Sequence, residues 1–195
     1  SSGEYPRGDK LTFSDVLKSK GYATPVAGKW QLTGEHPTLI HDCGFDTYRM
    51  WAYTHNLPPG VKHTGRYEGA AGGRTARFWH PSIVENGKYL ATQPNDYGPD
   101  LFNAFAIDFI RQNKDKPFCL YYTMPLRQGP HEETPDVANR GQRRPAGYKS
   151  NVEYLDYLMG QLVDAIDAAG LAENTLFVFV GDNGTRGSRK GTLTE

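Results

Sequence analysis

The feature that most constrains this chain is an unbroken apolar run near its end, Leu176 to Val180, closely followed by Asp182-Asn183-Gly184. A run rich in β-branched and aromatic residues and bounded by turn formers is typical of a strand buried on both faces, as in parallel sheets. Ligands of open α/β sheets bind beyond the carboxyl ends of the strands, so Asp182 and Asn183 are expected at the ligand-binding edge of the sheet. A carboxylate beside an amide suits Ca²⁺ or Mg²⁺. The alternative is that Asp-Asn-Gly only forms a turn after a strand.

Composition excludes several classes of function. The 195 residues are 37% hydrophobic, which is enough to bury the core of one domain or most of one. Lys+Arg and Asp+Glu are equal at 22 each, so the chain has no net positive charge that would attract nucleic acid or an anionic membrane. We expect no membrane span and find no signal peptide in the first residues. Cys43 and Cys119 lie far apart without metal-ligand spacing, which favours free thiols.

The first predicted unit is a short helix followed by a strand. Thr12 and Asp15 have the spacing of a capping box, and Gly21 supplies a left-handed stop. Residues 22–27 are then predicted to form a brief strand that places Lys29 at a strand end. A lysine there can neutralise an anionic ligand, and the alternative is an ordinary solvated charge.

Residues 33–99 are dense in Gly, Pro, Tyr, His and Trp, and we interpret them as a loop-rich insertion over the active edge of the sheet. Within it, Cys43-Gly44-Phe45-Asp46 is predicted to be a tight turn with an aromatic anchor. Asn86-Gly87 is the strongest hairpin signal in the chain. Five scattered histidines lack the close pairing of a zinc site and are interpreted as ordinary polar residues. These are His36, His41, His55, His63 and His80.

The second half alternates helix and strand. Asp100 is predicted to cap a helix that runs to about Asn113, and residues 118–124 to form the next strand. The proline-rich loop after that strand, residues 125–136, places several polar side chains close to the end of the strand. Its polar side chains are Arg127, Gln128, His131 and Glu132.

A basic segment at 140–149 is interpreted as a solvated loop, with anion binding as the alternative. Ser150 and Glu153 then have capping-box spacing at the start of a helix that Gly170 ends. The recurrence of helix, strand and polar loop predicts an α/β fold, a three-layer sandwich with a mainly parallel central sheet.

An ordered set of motifs resembles the type I, arylsulfatase-like sulfatases of the alkaline-phosphatase superfamily. The resemblance covers nearly all of residues 1–195 and implies part of one sulfatase-like catalytic domain. The motifs are Gly21-Tyr22-Ala23-Thr24, Gly28-Lys29-Trp30-Gln31-Leu32, Gly44-Phe45-Asp46, Asn86-Gly87, Pro117-Phe118, Gly129-Pro130, Glu153-Tyr154-Leu155-Asp156 with Gly160, Asn174-Thr175, Gly181-Asp182-Asn183-Gly184, Lys190-Gly191 and Glu195.

The resemblance implies hydrolysis of sulfate esters by a formylglycine, made from the Cys or Ser of a C/S-x-P-x-R motif, beside one Ca²⁺. Asp182 and Asn183 match the metal-binding pair of the family. Lys29 and Lys190 match the two lysines that contact the sulfate. A metal and two ammonium groups would stabilise the charge that builds up on a transferring sulfuryl group. The expected ligand is a sulfated small molecule or glycan, and the expected compartment is periplasmic, secreted or lysosomal.

The chain departs from the family pattern in three ways. Neither cysteine is followed by the Pro and Arg of the nucleophile motif, and the N-terminal Asp-Asp metal ligands of the family are missing. The family would also continue beyond Glu195, so the chain is interpreted as an internal piece of a longer protein that is inactive alone. Gln31 and Gln128 stand where the family usually has histidine. Glutamine donates hydrogen bonds but transfers no proton near neutral pH, and His131, three residues after Gln128, is the candidate to replace it in binding the substrate.

Two other functions fit the same residues. The protein could be a non-catalytic relative that binds an anionic or sulfated ligand. It could also be a phosphodiester or phosphonate hydrolase of the same superfamily, because the sites overlap.

Overall fold

The computed structural model describes residues 10–30, 39–52, 76–126, 129 and 131–181. These residues form short strands and four α-helices, of which the two longest are in the second half of the chain. In chain order the elements are α1 (Phe13–Ser19), β1 (Pro25–Gly28), α2 (Leu39–Asp42), β2 (Thr47–Trp51), β3 (Ile83–Glu85), β4 (Lys88–Leu90), α3 (Gly98–Asn113), β5 (Tyr121–Thr123), β6 (Thr134–Pro135), β7 (Arg143–Arg144), α4 (Tyr148–Ala168) and a 3₁₀ turn (Ala172–Asn174).

The main sheet of the described residues has five strands in the order β4-β3-β2-β1-β5. The strand β1 pairs in parallel with β2 on one side and with β5 on the other. The hairpin β3–β4 adds antiparallel strands next to β2. The predicted α/β class with a mainly parallel central sheet is therefore confirmed.

Helices cover both faces of this sheet. Successive residues of β1 point to opposite sides, so different residues of the strand contact the helices on each face. Val26 packs with Phe45 and with Leu39 and Ile40 of α2 on one face. Ala27 packs on the other face with Phe102 of α3. Helix α4 then packs along α3 through contacts between the side chains of Ala106, Ile110, Leu162 and Ile166.

Three local predictions are confirmed. Thr12 and Asp15 form the capping box of α1, and each side chain bonds to the backbone of the other residue. Asn86 and Gly87 both have positive φ, 46° and 80°, which the two-residue hairpin turn requires. Phe45 is buried in the core after the turn at Gly44, which has φ of 86°.

The starts of the two long helices differ from the predictions. Asp100 is the third residue of α3, whose N-cap is Tyr97 and whose first turn holds Pro99, so Asp100 is not the cap. Helix α4 begins at Tyr148 after Gly147. The hydroxyl of Ser150 donates to the carbonyl oxygens of Pro145 and Gly147 instead of accepting a bond from the helix.

The strands also depart from their predicted limits. Strand β1 begins at Pro25 and not at Tyr22, because Ala23 forms only an isolated bridge with Phe118. Strand β5 is limited to Tyr121–Thr123. The segment 33–99, interpreted as loop-rich, contributes β2, which lies next to β1 within the sheet.

The prediction of a buried strand at Leu176–Val180 is wrong for this structure. These residues adopt no strand, and their exposure runs from 44% for Phe177 to 88% for Leu176. An apolar run is buried as a strand only when neighbouring strands and helices cover it, and the described residues provide no such neighbours. None of the described helices is long and apolar enough to cross a membrane.

Candidate active site at the carboxyl ends of β1 and β5

The candidate site begins where two adjacent parallel strands end together. Gly28, the last residue of β1, lies opposite Thr123, the last residue of β5. The backbone N–H of Lys29 donates to the carbonyl oxygen of Thr123 at 2.9 Å. Lys29 is partly buried and leaves the sheet at this edge, beside the loop that follows β5. This is the edge where open α/β sheets bind ligands.

Gly28 permits this close approach of the two strands. Its φ is 102°, and a β-carbon there would lie 2.1 Å from the carbonyl oxygen of Thr123. No side chain fits at that distance, and L-residues rarely adopt that φ. The glycine before Lys29 is therefore required by the geometry of the strand end.

The loop after β5 is held by a buried arginine. Nη2 of Arg77 donates to the carbonyl oxygen of Gly129 at 2.6 Å. The Arg77 guanidinium lies over the ring of Trp51, at the end of β2, and over the ring of Phe78, with distances of 5.3 and 4.8 Å to the ring centroids. The residue is only 4% exposed. It ties the β5 loop to the end of β2, two strands away in the sheet.

Further hydrogen bonds and a ring contact hold the same loop beyond Gly129. Nδ2 of Asn151 in α4 donates to the carbonyl oxygen of Glu132 at 2.8 Å, and Nε1 of Trp79 donates to that of Glu133 at 2.9 Å. The ring of His131 packs edge-on against the ring of Tyr148, 5.5 Å between centroids, at the start of α4. The ring of His131 thus packs this loop against the start of α4.

The basic segment at 140–149 is partly structured and carries opposite charges beside its own. Arg143 and Arg144 form β7, which pairs with β6. Arg143 lies 3.5 Å from Glu133, and Arg144 pairs with Glu153 of α4. These acids offset the positive charge of the segment, which agrees with the interpretation of ordinary surface charge rather than with an anion site.

Five predicted site residues lie outside the described residues, so their placement stays a prediction. They are Gln31, Gln128, Asp182, Asn183 and Lys190. Of the predicted residues, Lys29 and His131 are described, and they follow the neighbouring strands β1 and β5. Within the described ranges no group of three or more His, Cys, Asp or Glu side chains could hold a metal ion.

Sequence analysis missed two residues of this edge, Arg77 and Thr123. Arg77 stands between Ala76 and Phe78 in a segment interpreted as loop, and a charge among apolar and aromatic residues was the available signal. Thr123 is a small polar residue near the end of an apolar run, where a side chain can bond to backbone rather than fill the core.

Comparison with known proteins assigns the chain to a family. The family model described as Sulfatase matches residues 2–193. Human arylsulfatase A is 31% identical over 199 residues, which cover 95% of this chain and 39% of that protein. Arylsulfatase G of Canis lupus familiaris is 29% identical and covers 90% of this chain and 35% of its own length. The Ulvan-active sulfatase of Formosa agariphila is 27% identical, with 92% and 36% covered.

The chain spans less than two fifths of the length of these three relatives. Among solved structures, Ps i-CgsB in complex with k-i-k-neocarrahexaose has a TM-score of 0.56 and 22% identity, covering 88% of this chain and 41% of that one. A second structure, from work on glycosaminoglycan metabolism by Bacteroides thetaiotaomicron, has a TM-score of 0.56 and 20% identity, covering 89% and 46%. Both likenesses show the fold.

Proposed function

Because the chain belongs to the sulfatase family, we propose that it supplies one part of the active site of an enzyme that hydrolyses sulfate esters. The observation that carries the proposal is the position of Lys29. It leaves β1 at the carboxyl edge, bonded through its backbone to Thr123 of β5, within a chain that the family model matches over residues 2–193. Lys29 is the residue that the family motif assigns to the sulfate.

In this proposal Lys29 and Lys190 act as two cationic contacts to the sulfate. An ammonium group is a compact charge with three donors, and it suits sulfate oxygens. Negative charge on those oxygens grows as the ester bond breaks, so cations fixed in advance stabilise the transition state more than the substrate.

Asp182 and Asn183 would hold the cation, which we propose to be Ca²⁺, with Mg²⁺ as the alternative. A carboxylate and an amide carbonyl are the hard oxygen donors that both ions take, so the donor set fits. When bound, the ion would add positive charge beside the sulfate. Two ligands do not complete a coordination shell, so further ligands are needed, and the described residues contain no group of three or more His, Cys, Asp or Glu that could supply them together.

The nucleophile is proposed to come from outside these 195 residues, as a formylglycine in the longer protein. No C/S-x-P-x-R motif occurs in the chain, because no cysteine or serine has a proline two residues after it. We therefore expect the isolated chain to be inactive and the whole protein to be active.

Gln31 and Gln128 are proposed to donate hydrogen bonds around the leaving group. Neither can release a proton near neutral pH, so protonation of the leaving oxygen depends on another group. His131, three residues after Gln128, is a titratable side chain of the same loop. The two glutamines also favour the second candidate, a non-catalytic relative that binds a sulfated ligand.

The proposed ligand is a sulfated small molecule or glycan. A relative at 27% identity is named an Ulvan-active sulfatase, and a structure of the same fold holds an oligosaccharide, k-i-k-neocarrahexaose. The sulfatase relatives support the proposed reaction, hydrolysis of a sulfate ester, more directly than they support a sugar as the substrate. The compartment, proposed to be periplasmic, secreted or lysosomal, follows from the family resemblance.

The test is turnover by the full-length protein that contains this chain. We expect hydrolysis of an aryl sulfate, at a kcat/KM higher than for the matched aryl phosphate and phosphodiester, with loss of activity in EDTA and recovery with Ca²⁺. A preference for the phosphodiester would instead assign the superfamily's other chemistry. Tight binding of a sulfated ligand without turnover would favour the non-catalytic candidate, and turnover by the isolated 195 residues would contradict the role given to the missing nucleophile.

A further inference from the structure

Both backbone hydrogen-bonding groups of Lys29 are bonded to one residue, Thr123. The N–H of Lys29 donates to the carbonyl oxygen of Thr123 at 2.9 Å. The hydroxyl Oγ1 of Thr123 lies 2.6 Å from the carbonyl oxygen of Lys29, with the hydroxyl as donor. Fixing the N–H and the C=O of a residue restricts both of its backbone dihedrals, and these set the direction of the Cα–Cβ bond.

The hydroxyl of Thr123 is shared with a second carbonyl group. Its Oγ1 is 3.0 Å from the carbonyl oxygen of Ala27, so a single proton serves two acceptors. Gly28 lies between these two acceptors with φ of 102°, which turns the chain at the end of β1. Regular pairing of parallel strands uses backbone groups alone, so the hydroxyl is an addition to the ladder.

We propose that Thr123 is a positioning residue for catalysis, whose hydroxyl sets the direction in which Lys29 leaves β1. The inference rests on the proposed function, in which the ammonium group of Lys29 contacts the sulfate. Thr123 itself touches neither the substrate nor the metal in this account. The bond from the N–H of Lys29 to the carbonyl oxygen of Thr123 does not depend on the hydroxyl. Without the hydroxyl the strand end therefore stays paired, but the direction in which Lys29 leaves β1 is less restricted.

The experiment uses the full-length protein with Thr123→Val, which keeps the shape of the side chain and removes the hydroxyl. We expect kcat/KM for an aryl sulfate to fall roughly 10- to 100-fold, since a misplacement of about 1 Å can cost that much. Thr123→Ser keeps the hydroxyl and should restore most of the rate. The matched control is Thr24→Val, at the amino end of β1, where Oγ1 bonds the carbonyl oxygen of Gly44 at 2.7 Å. It should lower stability without the loss in kcat/KM.

A double-mutant cycle with Lys29→Met separates positioning from general destabilisation. If Thr123 acts through Lys29, Thr123→Val should lower kcat/KM no further once Lys29 is gone. The same cycle on the dissociation constant of inorganic sulfate keeps variants without measurable turnover informative. An equal loss in both backgrounds, or a wild-type rate in Thr123→Val beside an inactive Lys29→Met, would overturn the inference. A wild-type rate in Lys29→Met would refute the proposed function and remove the premise with it.

Discussion

The hydroxyl of Tyr154 in α4 donates a hydrogen bond to Oδ1 of Asp100 in α3, at 2.7 Å. Burial raises the pKa of Asp100 to about 6, although the bond from Tyr154 opposes this effect. Burial, with the charge of Asp100 nearby, also raises the pKa of Tyr154 and of Tyr122 above their ordinary values. A carboxyl group therefore titrates near pH 6 within the packing of the two long helices.

We predict that acidification stabilises this helix pair. The pKa of Asp100 is about 6 when folded, against an ordinary value of 3.8, so the folded state binds a proton that the unfolded state releases. That contribution is complete below pH 3.8 and is lost as the pH rises through 6. The shift corresponds to about 3 kcal/mol at most between pH 4 and pH 7.

Urea denaturation of the full-length protein at both pH values measures this effect. The difference in unfolding free energy between wild type and Asp100→Asn should change with pH, because asparagine accepts the bond from Tyr154 but does not titrate. The matched control is Asp108→Asn, an exposed carboxylate of α3 paired with Arg111 at 3.6 Å. A pH dependence that is the same in wild type and Asp100→Asn would refute the role of this group.

Replacing Arg77 should destabilise the loop after β5. Arg77→Met loses the hydrogen bond to Gly129 and the cation–π contacts with Trp51 and Phe78, together about 2 to 3 kcal/mol. Arg77→Lys should not rescue it, because an ammonium group lacks the planar fork that stacks and donates together. Thermal melting measures the loss, and kcat/KM reports the position of the loop.

The control for Arg77 is an arginine that also lies over an aromatic ring. Arg143 lies 3.7 Å from the ring centroid of Trp79, but its side chain is 37% exposed. Arg143→Met should cost less than about 1 kcal/mol, as exposed cation–π contacts do. Equal losses in the two variants would show that the burial of Arg77 has no special effect.

Replacing Gly28 by alanine should lower the stability far more than the same substitution at a glycine with open space around it. Gly28→Ala combines a positive φ with a clash against the Thr123 carbonyl oxygen, and we expect a loss of about 3 kcal/mol or more. Gly170 has φ of 73° and nothing within 4 Å of the position of an added Cβ. Gly170→Ala should cost about 1 kcal/mol, from backbone strain alone. Similar melting temperatures for the two variants would contradict the close approach of β1 and β5.

The exposed apolar run at 176–180 should make the isolated chain prone to association. Five consecutive apolar residues of high β-propensity without charge are a typical aggregation segment when they are uncovered. Light scattering and dye binding by the 195-residue chain should both fall in the variant Val178→Lys. A wild-type chain that stays monomeric and binds no dye at the same concentration would indicate that this run is covered.

Local patterns account for the parts of the fold that the sequence predicted well. The capping box of α1 and the Asn86-Gly87 turn depend on residues within four positions of each other, so propensity decides them. The start of α4 depends instead on contacts outside the helix, because the hydroxyl of Ser150 bonds to Pro145 and Gly147. A capping motif in the sequence does not reveal such a competing partner.

Long-range contacts explain the remaining differences. Strand β2 belongs to the sheet because it pairs with β1 and β3, although its segment is rich in turn-forming residues. The run at 176–180 has strand composition but lacks the neighbours that would bury it. At the candidate site the motif pointed to Lys29, whose role stays a prediction, while the pairing of Thr123 with this strand end follows from the register that brings it opposite Gly28.

If Lys29 and Lys190 act on one sulfate, as proposed, both should determine kcat/KM of the full-length protein for an aryl sulfate. Lys29→Met and Lys190→Met should each lower kcat/KM by about 100-fold or more, as removal of a transition-state contact does. Lys114→Met, at the exposed end of α3 far along the chain from both lysines, should leave it unchanged. Wild-type kcat/KM in Lys29→Met or in Lys190→Met would refute the proposed role of that lysine.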